Sequence, residues 1–166
     1  MRKNFETVLL IVLPILIVAA MYYNAEAMNR IFIIEKGLDL ENKVCQARIL
    51  PDQYNLTITK GDKVFLNMKI LNQGNFIWSN SGDYVVKLSY HVLDQGRNVL
   101  EFENQRFGLP AEVRPNTEVE IDIELQPQLE TGDYILEFDL VEEGRTWFKE
   151  KNSPTALVKL HINDNM

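Results

Sequence analysis

The chain has 166 residues, of which 46% are hydrophobic and 25% charged, which is enough apolar material for one domain of ordinary size. This composition excludes a disordered or collagen-like chain. A single cysteine, Cys45, excludes an intrachain disulfide framework and a cysteine-rich zinc site. The net charge of -7 argues against a nucleic-acid binder, and two histidines leave little material for a metal site, so we expect no cofactor.

Residues 1–27 predict a membrane segment. No charged residue lies between Thr7 and Ala25, and ten Val, Leu and Ile side chains fall between Val8 and Val18. At about 1.5 Å per residue, this uncharged run spans roughly 28 Å, close to the hydrocarbon thickness of a bilayer. Basic residues precede the run, so the positive-inside rule keeps the N-terminus in the cytoplasm and exports the rest of the chain.

Three interpretations of this segment compete. The first is an uncleaved signal-anchor in the cytoplasmic membrane, favoured by the length of the apolar run and by Tyr22 and Tyr23 at its end. The second is a signal peptide cleaved after Ala25-Glu26-Ala27, an A-x-A pattern. The third is the packing helix of a pilin-like filament, although this sequence lacks the glycine that a pilin-type processing site has before the apolar run. Residues 28–43 then form a juxtamembrane connector.

From residue 44 the apolar period changes to two, which predicts an all-β, immunoglobulin/fibronectin-like antiparallel sandwich over residues 44–163. Turn residues at intervals of about eight to twelve positions separate the predicted strands. These strands are 53–59, 63–71, 84–93, 99–106, 117–125, 132–141, 147–150 and 155–162.

The alternation in each strand predicts one face in the core and one face in solvent. The clearest inward series are Val64, Leu66, Met68 and Ile70; Val86, Leu88, Tyr90 and Val92; Val119, Ile121, Ile123 and Leu125; and Tyr134, Leu136, Phe138 and Leu140. The outward row of Glu118, Glu120, Asp122 and Glu124 favours a solvated face over a cation site. Side chains two apart on a strand lie about 7 Å apart and do not converge on one ion.

Three segments carry a resemblance to a known domain type. They are NQGNFIW (72–78), KLSYHVLDQGRNV (87–99) and the stretch from RFGLPAEVRPNTEVEIDIEL (106–125) to TGDYILEFDLVEEGRTWF (131–148). Together they resemble an immunoglobulin-like accessory domain of bacterial envelope and polysaccharide proteins, often appended to glycosyltransferases and methyltransferases. A weaker similarity is to the four-tryptophan domain of autophagy-receptor-type proteins. The resemblance covers roughly residues 60–160 and implies a fold more than an activity.

Two groups of side chains are candidates for contacts with a ligand or partner. One is a polar strip across neighbouring strands, in which Lys87 or His91 would pair with Glu137 or Asp139, either as a recognition strip or as surface electrostatics. The other consists of Trp78, and of Trp147 beside Arg145. Each tryptophan either grips a sugar or partner side chain or packs over an end of the core.

The sequence carries no phosphate loop, catalytic triad order or zinc spacing, which predicts a non-catalytic protein. We expect a membrane-anchored, extracytoplasmic binding or assembly module of the cell envelope, with a protein partner or a surface polysaccharide as its ligand. The alternatives are a subunit of a surface filament or of a secretion or motility complex, and a divergent sugar-active enzyme using Glu137 and Asp139. Cys45 predicts either a small buried apolar side chain or an intermolecular disulfide.

Overall fold

The computed structural model describes residues 15–29 and 42–164. The chain divides into two compact units, Met1–Asn42 and Lys43–Met166. In the first unit, residues 15–29 are helical with exposed side chains. The rest of the predicted anchor (1–14) and most of the predicted connector (30–41) lie outside the described residues. Among the residues that are described, no helix is both long enough and apolar enough to cross a bilayer.

The described residues of the second unit, 43–164, contain ten strands in two sheets. The strands are β1 (Ala47–Pro51), β2 (Asn55–Thr59), β3 (Val64–Asn72), β4 (Val86–Leu93), β5 (Val99–Glu101), β6 (Phe107–Gly108), β7 (Glu118–Leu125), β8 (Gly132–Glu142), β9 (Thr146–Trp147) and β10 (Ala156–Asn163). One sheet has the order β1-β3-β7 and the other the order β2-β10-β8-β4-β5, with β6 paired to β4 and β9 paired to β8.

This strand order is that of an immunoglobulin-type sandwich. Strands β1, β3 and β7 take positions A, B and E in one sheet, and β4, β8 and β10 take positions C, F and G in the other. The predicted all-β sandwich is therefore confirmed. One pair departs from the expected antiparallel arrangement, because β2 runs parallel to β10.

The core forms where the inward series of the two sheets meet. All four predicted inward residues of β3 are buried, as are the last three of β7 and the series of β4. The pattern is dictated by pleating, since alternate side chains of a strand point to opposite faces. Each buried Val, Leu or Ile contributes about 1.5 to 3 kcal/mol relative to exposure, so the alternation fixes the register of these strands.

Three predicted elements differ in the structure. Strand β1 was not predicted; it is a short edge strand whose last residue is Pro51, a position where a missing N–H is tolerated. The predicted return strand 99–106 is reduced to β5, and a loop then leads to β6. The predicted strand 147–150 ends at Trp147, where a short 3-10 helix, Phe148–Lys151, begins; it stops at Asn152, which is left-handed with φ 62°.

Candidate functional site

The predicted polar strip lies on the outer face of β4 and β8, but this face is not open to solvent. The two strands pair antiparallel as expected, with His91 opposite Glu137 and Ser89 opposite Asp139. His91 is 0% exposed and Asp139 only 1% exposed, so the prediction that they face solvent is wrong. The physical reason is a second layer of chain. Residues 102–106, here called the strap, cross over β4, and the segment from Trp147 onward packs over β8.

Side chains of β4 hold the strap through its backbone carbonyls. The Ser89 hydroxyl donates to the carbonyl oxygen of Gln105 at 2.9 Å, and the Arg106 guanidinium donates to the Ser89 hydroxyl at 2.7 Å. His91 contacts the carbonyl of Phe102 through Nδ1, which must carry the proton because a carbonyl only accepts. Burial lowers the pKa of His91, which favours this neutral imidazole.

Trp147 takes part in the same internal packing. The His91 ring lies 4.4 Å from the Phe102 ring and 4.4 Å from the Trp147 ring, and the Arg106 guanidinium lies 4.6 Å from the Trp147 ring centroid. Trp147 is 6% exposed. Trp147 therefore packs under the strap and presents little surface to a ligand. This matches the second of the two predictions for it, a tryptophan that covers the core.

The two carboxylates of the strip are held by the protein itself. Asp139 accepts hydrogen bonds from the backbone N–H groups of Leu140 at 2.8 Å and Lys149 at 3.2 Å, and burial raises its pKa to about 7. Glu137 is ion-paired with Lys149 and accepts a hydrogen bond from the Thr155 hydroxyl. Burial alone would raise the pKa of Glu137. The hydrogen bonds from Lys149 and Thr155 outweigh burial, so the pKa is lowered. This arrangement gives no support to an enzyme built on Glu137 and Asp139.

The remaining predicted contacts are divided between the core and the surface. Trp78 is 0% exposed and packs edge-on against Phe148 with 5.5 Å between ring centroids, so it belongs to the core. Lys87 pairs with Glu143 at 3.3 Å rather than with Glu137 or Asp139, because its backbone lies opposite Val141.

Arg145 lies at the end of the sandwich where the loops leading into β4 and out of β8 meet. Its guanidinium carbon is 3.4 Å from the centroid of the half-exposed Tyr84 ring, and Nη1 is 3.1 Å from the Glu142 carboxylate. Glu142 is also ion-paired with Lys43, the first residue of the second unit. The chain therefore enters the sandwich at this end, and Arg145 helps to fix the entry.

A surface that the strand pattern did not single out lies on the outer face of the three-stranded sheet. Phe65 of β3 is 63% exposed, although its neighbours on that face are polar or charged. It borders an open concavity of about 470 Å³, here called the outer concavity. The lining residues are Asp52, Phe65, Leu66, Asn67, Asp122, Ile123 and Glu124.

Asn67 organises the polar side of the outer concavity. Its side-chain amide donates to Oδ1 of Asp122 at 2.9 Å, and its backbone N–H donates to Oδ1 of Asp52 at 3.1 Å. The Asp52 backbone N–H returns a bond to the Asn67 carbonyl at 3.0 Å, which extends the β1–β3 ladder by one row. An exposed ring thus lies beside one amide and two carboxylates, with Asn67 and Asp122 on paired strands and Asp52 directly after β1. A concavity with an apolar group and a few polar groups is a candidate small-molecule site.

Within residues 15–29 and 42–164, no group of three or more His, Cys, Asp or Glu side chains has an arrangement that could hold a metal ion. No known family model matches the chain. Among solved structures, the chain is similar to the crystal structure of a Niemann-Pick type C2 protein from the Japanese carpenter ant. The identity is 8% and the TM-score 0.47, over 70% of this chain and 89% of that one. A likeness at this level carries no argument about the site or its ligand.

Proposed function

We propose that the protein is a membrane-anchored β-sandwich displayed outside the cytoplasmic membrane, and that it is a non-catalytic binding module of the cell envelope which holds a surface polysaccharide in the outer concavity. The observation that carries the proposal is the exposed Phe65 ring beside Asn67, Asp122 and Asp52. A flat apolar ring packs against the apolar face of a sugar. A neighbouring amide donates hydrogen bonds to the sugar hydroxyls, and carboxylates accept hydrogen bonds from them.

The position of the concavity along the sandwich supports display. The chain enters the domain at Lys43, and Ala47 is paired with Asn72 at that end of β3. Phe65 lies seven residues earlier in β3, which is about 23 Å away at roughly 3.3 Å per residue. The concavity therefore lies toward the end of β3 opposite the end at which the chain enters the domain.

The apolar run of residues 8–18 supports the anchor itself. At about -0.3 to -0.6 kcal/mol per Val, Leu or Ile, it favours insertion by roughly 3 to 6 kcal/mol. The test is carbonate extraction of membranes from cells that express the full chain, followed by protease treatment of intact spheroplasts. We expect the protein in the membrane pellet and its sandwich cleaved from outside. Recovery in the cytosolic fraction would contradict the anchor.

Binding is tested with the second unit, residues 43–166, which has its own core. The probes are polysaccharide extracted from the surface of the producing cells and immobilised hexamers of N-acetylglucosamine, glucosamine and galacturonic acid. We expect at least one to bind, and Phe65→Ala to weaken that binding about tenfold, equivalent to 1.4 kcal/mol. Phe65→Trp should retain it.

Tyr54 provides the matched control, because it is an aromatic side chain 50% exposed that does not line the outer concavity. Tyr54→Ala should leave binding within about twofold. Failure of every probe to bind, or equal losses for Tyr54→Ala and Phe65→Ala, would contradict the proposal.

An assembly role is the second candidate, favoured by the β5 edge of the larger sheet. Strand β5 is the last in that sheet, and Val99, Leu100 and the following Phe102 are each 41–53% exposed. Exposed apolar edges are sites for pairing with another chain. If this edge mediates assembly, the full chain in detergent will sediment as an oligomer and Leu100→Lys will convert it to a monomer.

A further inference from the structure

The outer concavity contains two carboxylates that the described part of the sandwich leaves without an ion pair. Among residues 42–164, no basic side chain forms an ion pair with Asp52 or Asp122; both accept hydrogen bonds from Asn67 instead. Each carboxylate uses one oxygen for this contact, and both residues line the concavity. The neighbouring Glu124, in contrast, is paired with Lys63 at 2.5 Å.

The acids on either side of Asp122 along β7 are ion-paired, in contrast to Asp122. In the register of β3 and β7, Lys69 lies opposite Glu120, and their side chains form an ion pair at 2.8 Å. Asp122, one outward position further along, lies opposite Asn67, where a lysine would have neutralised it. Within residues 42–164, two carboxylates without a basic partner therefore lie beside an exposed phenyl ring. Along β7, Asp122 lies between two acids that are ion-paired with lysines.

We infer that the ligand of the outer concavity is a sugar residue that bears a protonated amine, an inference that rests on the proposed function. The Phe65 ring takes the apolar face of such a sugar and attracts the ammonium group through its negative π face. Asp52 and Asp122 accept charge-assisted hydrogen bonds from the ammonium and the hydroxyls. An acidic sugar in the same position would be repelled by both carboxylates.

The test compares three hexamers by calorimetry with residues 43–166: glucosamine, N-acetylglucosamine and galacturonic acid. The pH is one at which the glucosamine amine is protonated. We expect glucosamine to bind about tenfold or more tightly than the N-acetylated hexamer, and galacturonic acid to bind least. The preference should shrink with added salt, because screening weakens exposed charge pairs.

Substitutions test the contribution of the two carboxylates separately from that of the Phe65 ring. Asp52→Asn and Asp122→Asn should each weaken glucosamine binding more than N-acetylglucosamine binding, and so reduce the preference for glucosamine to within about threefold. Glu118→Gln is the matched control: it removes an outward carboxylate from the same strand as Asp122, outside the concavity, and should leave the preference unchanged. Phe65→Ala should weaken both hexamers together.

The outcomes are distinguishable. If both neutral and amino hexamers bind equally and Phe65→Ala weakens both, the amine inference is overturned and the proposed function stands. If oligolysine binds at the concavity more tightly than glucosamine, the occupant is a basic peptide and the inference is overturned. If surface polysaccharide and all three hexamers fail to bind, the proposed function falls and the inference falls with it.

Discussion

The Asn67 side-chain amide donates a hydrogen bond to the Asp122 carboxylate at 2.9 Å, directly across β3 and β7. The pair occupies the row between Phe65 and Lys69, and it sets the polar side of the outer concavity. An asparagine in this row satisfies one oxygen of Asp122 without removing its charge. The asparagine at position 67 therefore distinguishes this row from the adjacent row, in which Lys69 and Glu120 form an ion pair.

Asn67→Asp should destabilise the domain by placing two like charges directly opposite each other. We expect the free energy of unfolding to fall by about 0.5 to 1 kcal/mol at low salt, and by less at high salt. Urea denaturation of residues 43–166 measures it. The double variant Asn67→Asp with Asp122→Asn restores one donor and one acceptor, and should return the free energy to near the parent value. An unchanged or more stable single variant would contradict the assigned pairing.

His91→Ala should release the strap. It removes a fully buried ring packed between Phe102 and Trp147, and the donor to the Phe102 carbonyl, so we expect a loss of about 2 to 4 kcal/mol in unfolding free energy. Hydrogen exchange of residues 102–106 should accelerate more than exchange in β3. His161, which is half-exposed, is the control, and His161→Ala should lower the free energy of unfolding far less than His91→Ala does. Equal effects of the two variants would argue against a held strap.

Asp139 should make stability fall with rising pH. Burial raises its pKa in the folded state from 3.8 to about 7, so the folded protein prefers the protonated acid. Its contribution is complete below about pH 4 and is lost as pH rises toward 7. Between about pH 5 and pH 8 this group alone lowers the free energy of unfolding by roughly 2 to 3 kcal/mol.

The measurement is urea denaturation of the parent and of Asp139→Asn across that range, because His91 acts in the opposite direction. The lowered pKa of His91 gives a contribution that is present at high pH and lost as pH falls below about 6.5. The difference between parent and variant isolates Asp139 and should grow in favour of the variant with rising pH. Asp83→Asn, on an exposed turn, is the control. A pH-independent difference would contradict the buried, titrating carboxyl.

Cys45 should be unreactive in the folded protein. Its side chain is 3% exposed, and burial raises the pKa of the thiol, so little reactive thiolate is present. We expect labelling by Ellman's reagent to be at least about a hundredfold slower in buffer than in urea, because it requires local opening. A disulfide-linked dimer on a non-reducing gel would contradict this and restore the intermolecular disulfide interpretation.

The core strands were predictable because each has one buried and one solvated face. Strands β3 and β7 alternate strictly, and the pairing of β4 with β8 followed from the sandwich topology. The burial of His91 and Asp139 was not predictable from period alone. The alternation predicts that polar side chains at outward positions face solvent. In the structure, the strap covers His91 and the segment after Trp147 covers Asp139, and each supplies a backbone hydrogen-bond partner.

One feature of the sequence indicates the outer concavity, a phenylalanine at an outward-facing position of β3. Phe65 alternates with Asn67 and Lys69, and an isolated exposed apolar side chain carries little information by itself. Asp52 follows β1, a strand that the pattern did not predict, and Asp122 belongs to a row that reads as an ordinary solvated face. Only the register of three strands brings these groups together.

The most direct test of the proposed site is an NMR titration of ¹⁵N-labelled residues 43–166 with the glucosamine hexamer. We expect the chemical-shift changes to be concentrated at Phe65, Asn67, Asp122 and Asp52, to saturate with added hexamer, and to be lost in Phe65→Ala. Saturable changes centred on β5, or on Tyr84 and Arg145, would place the ligand elsewhere. The absence of any saturable change would contradict binding in the outer concavity.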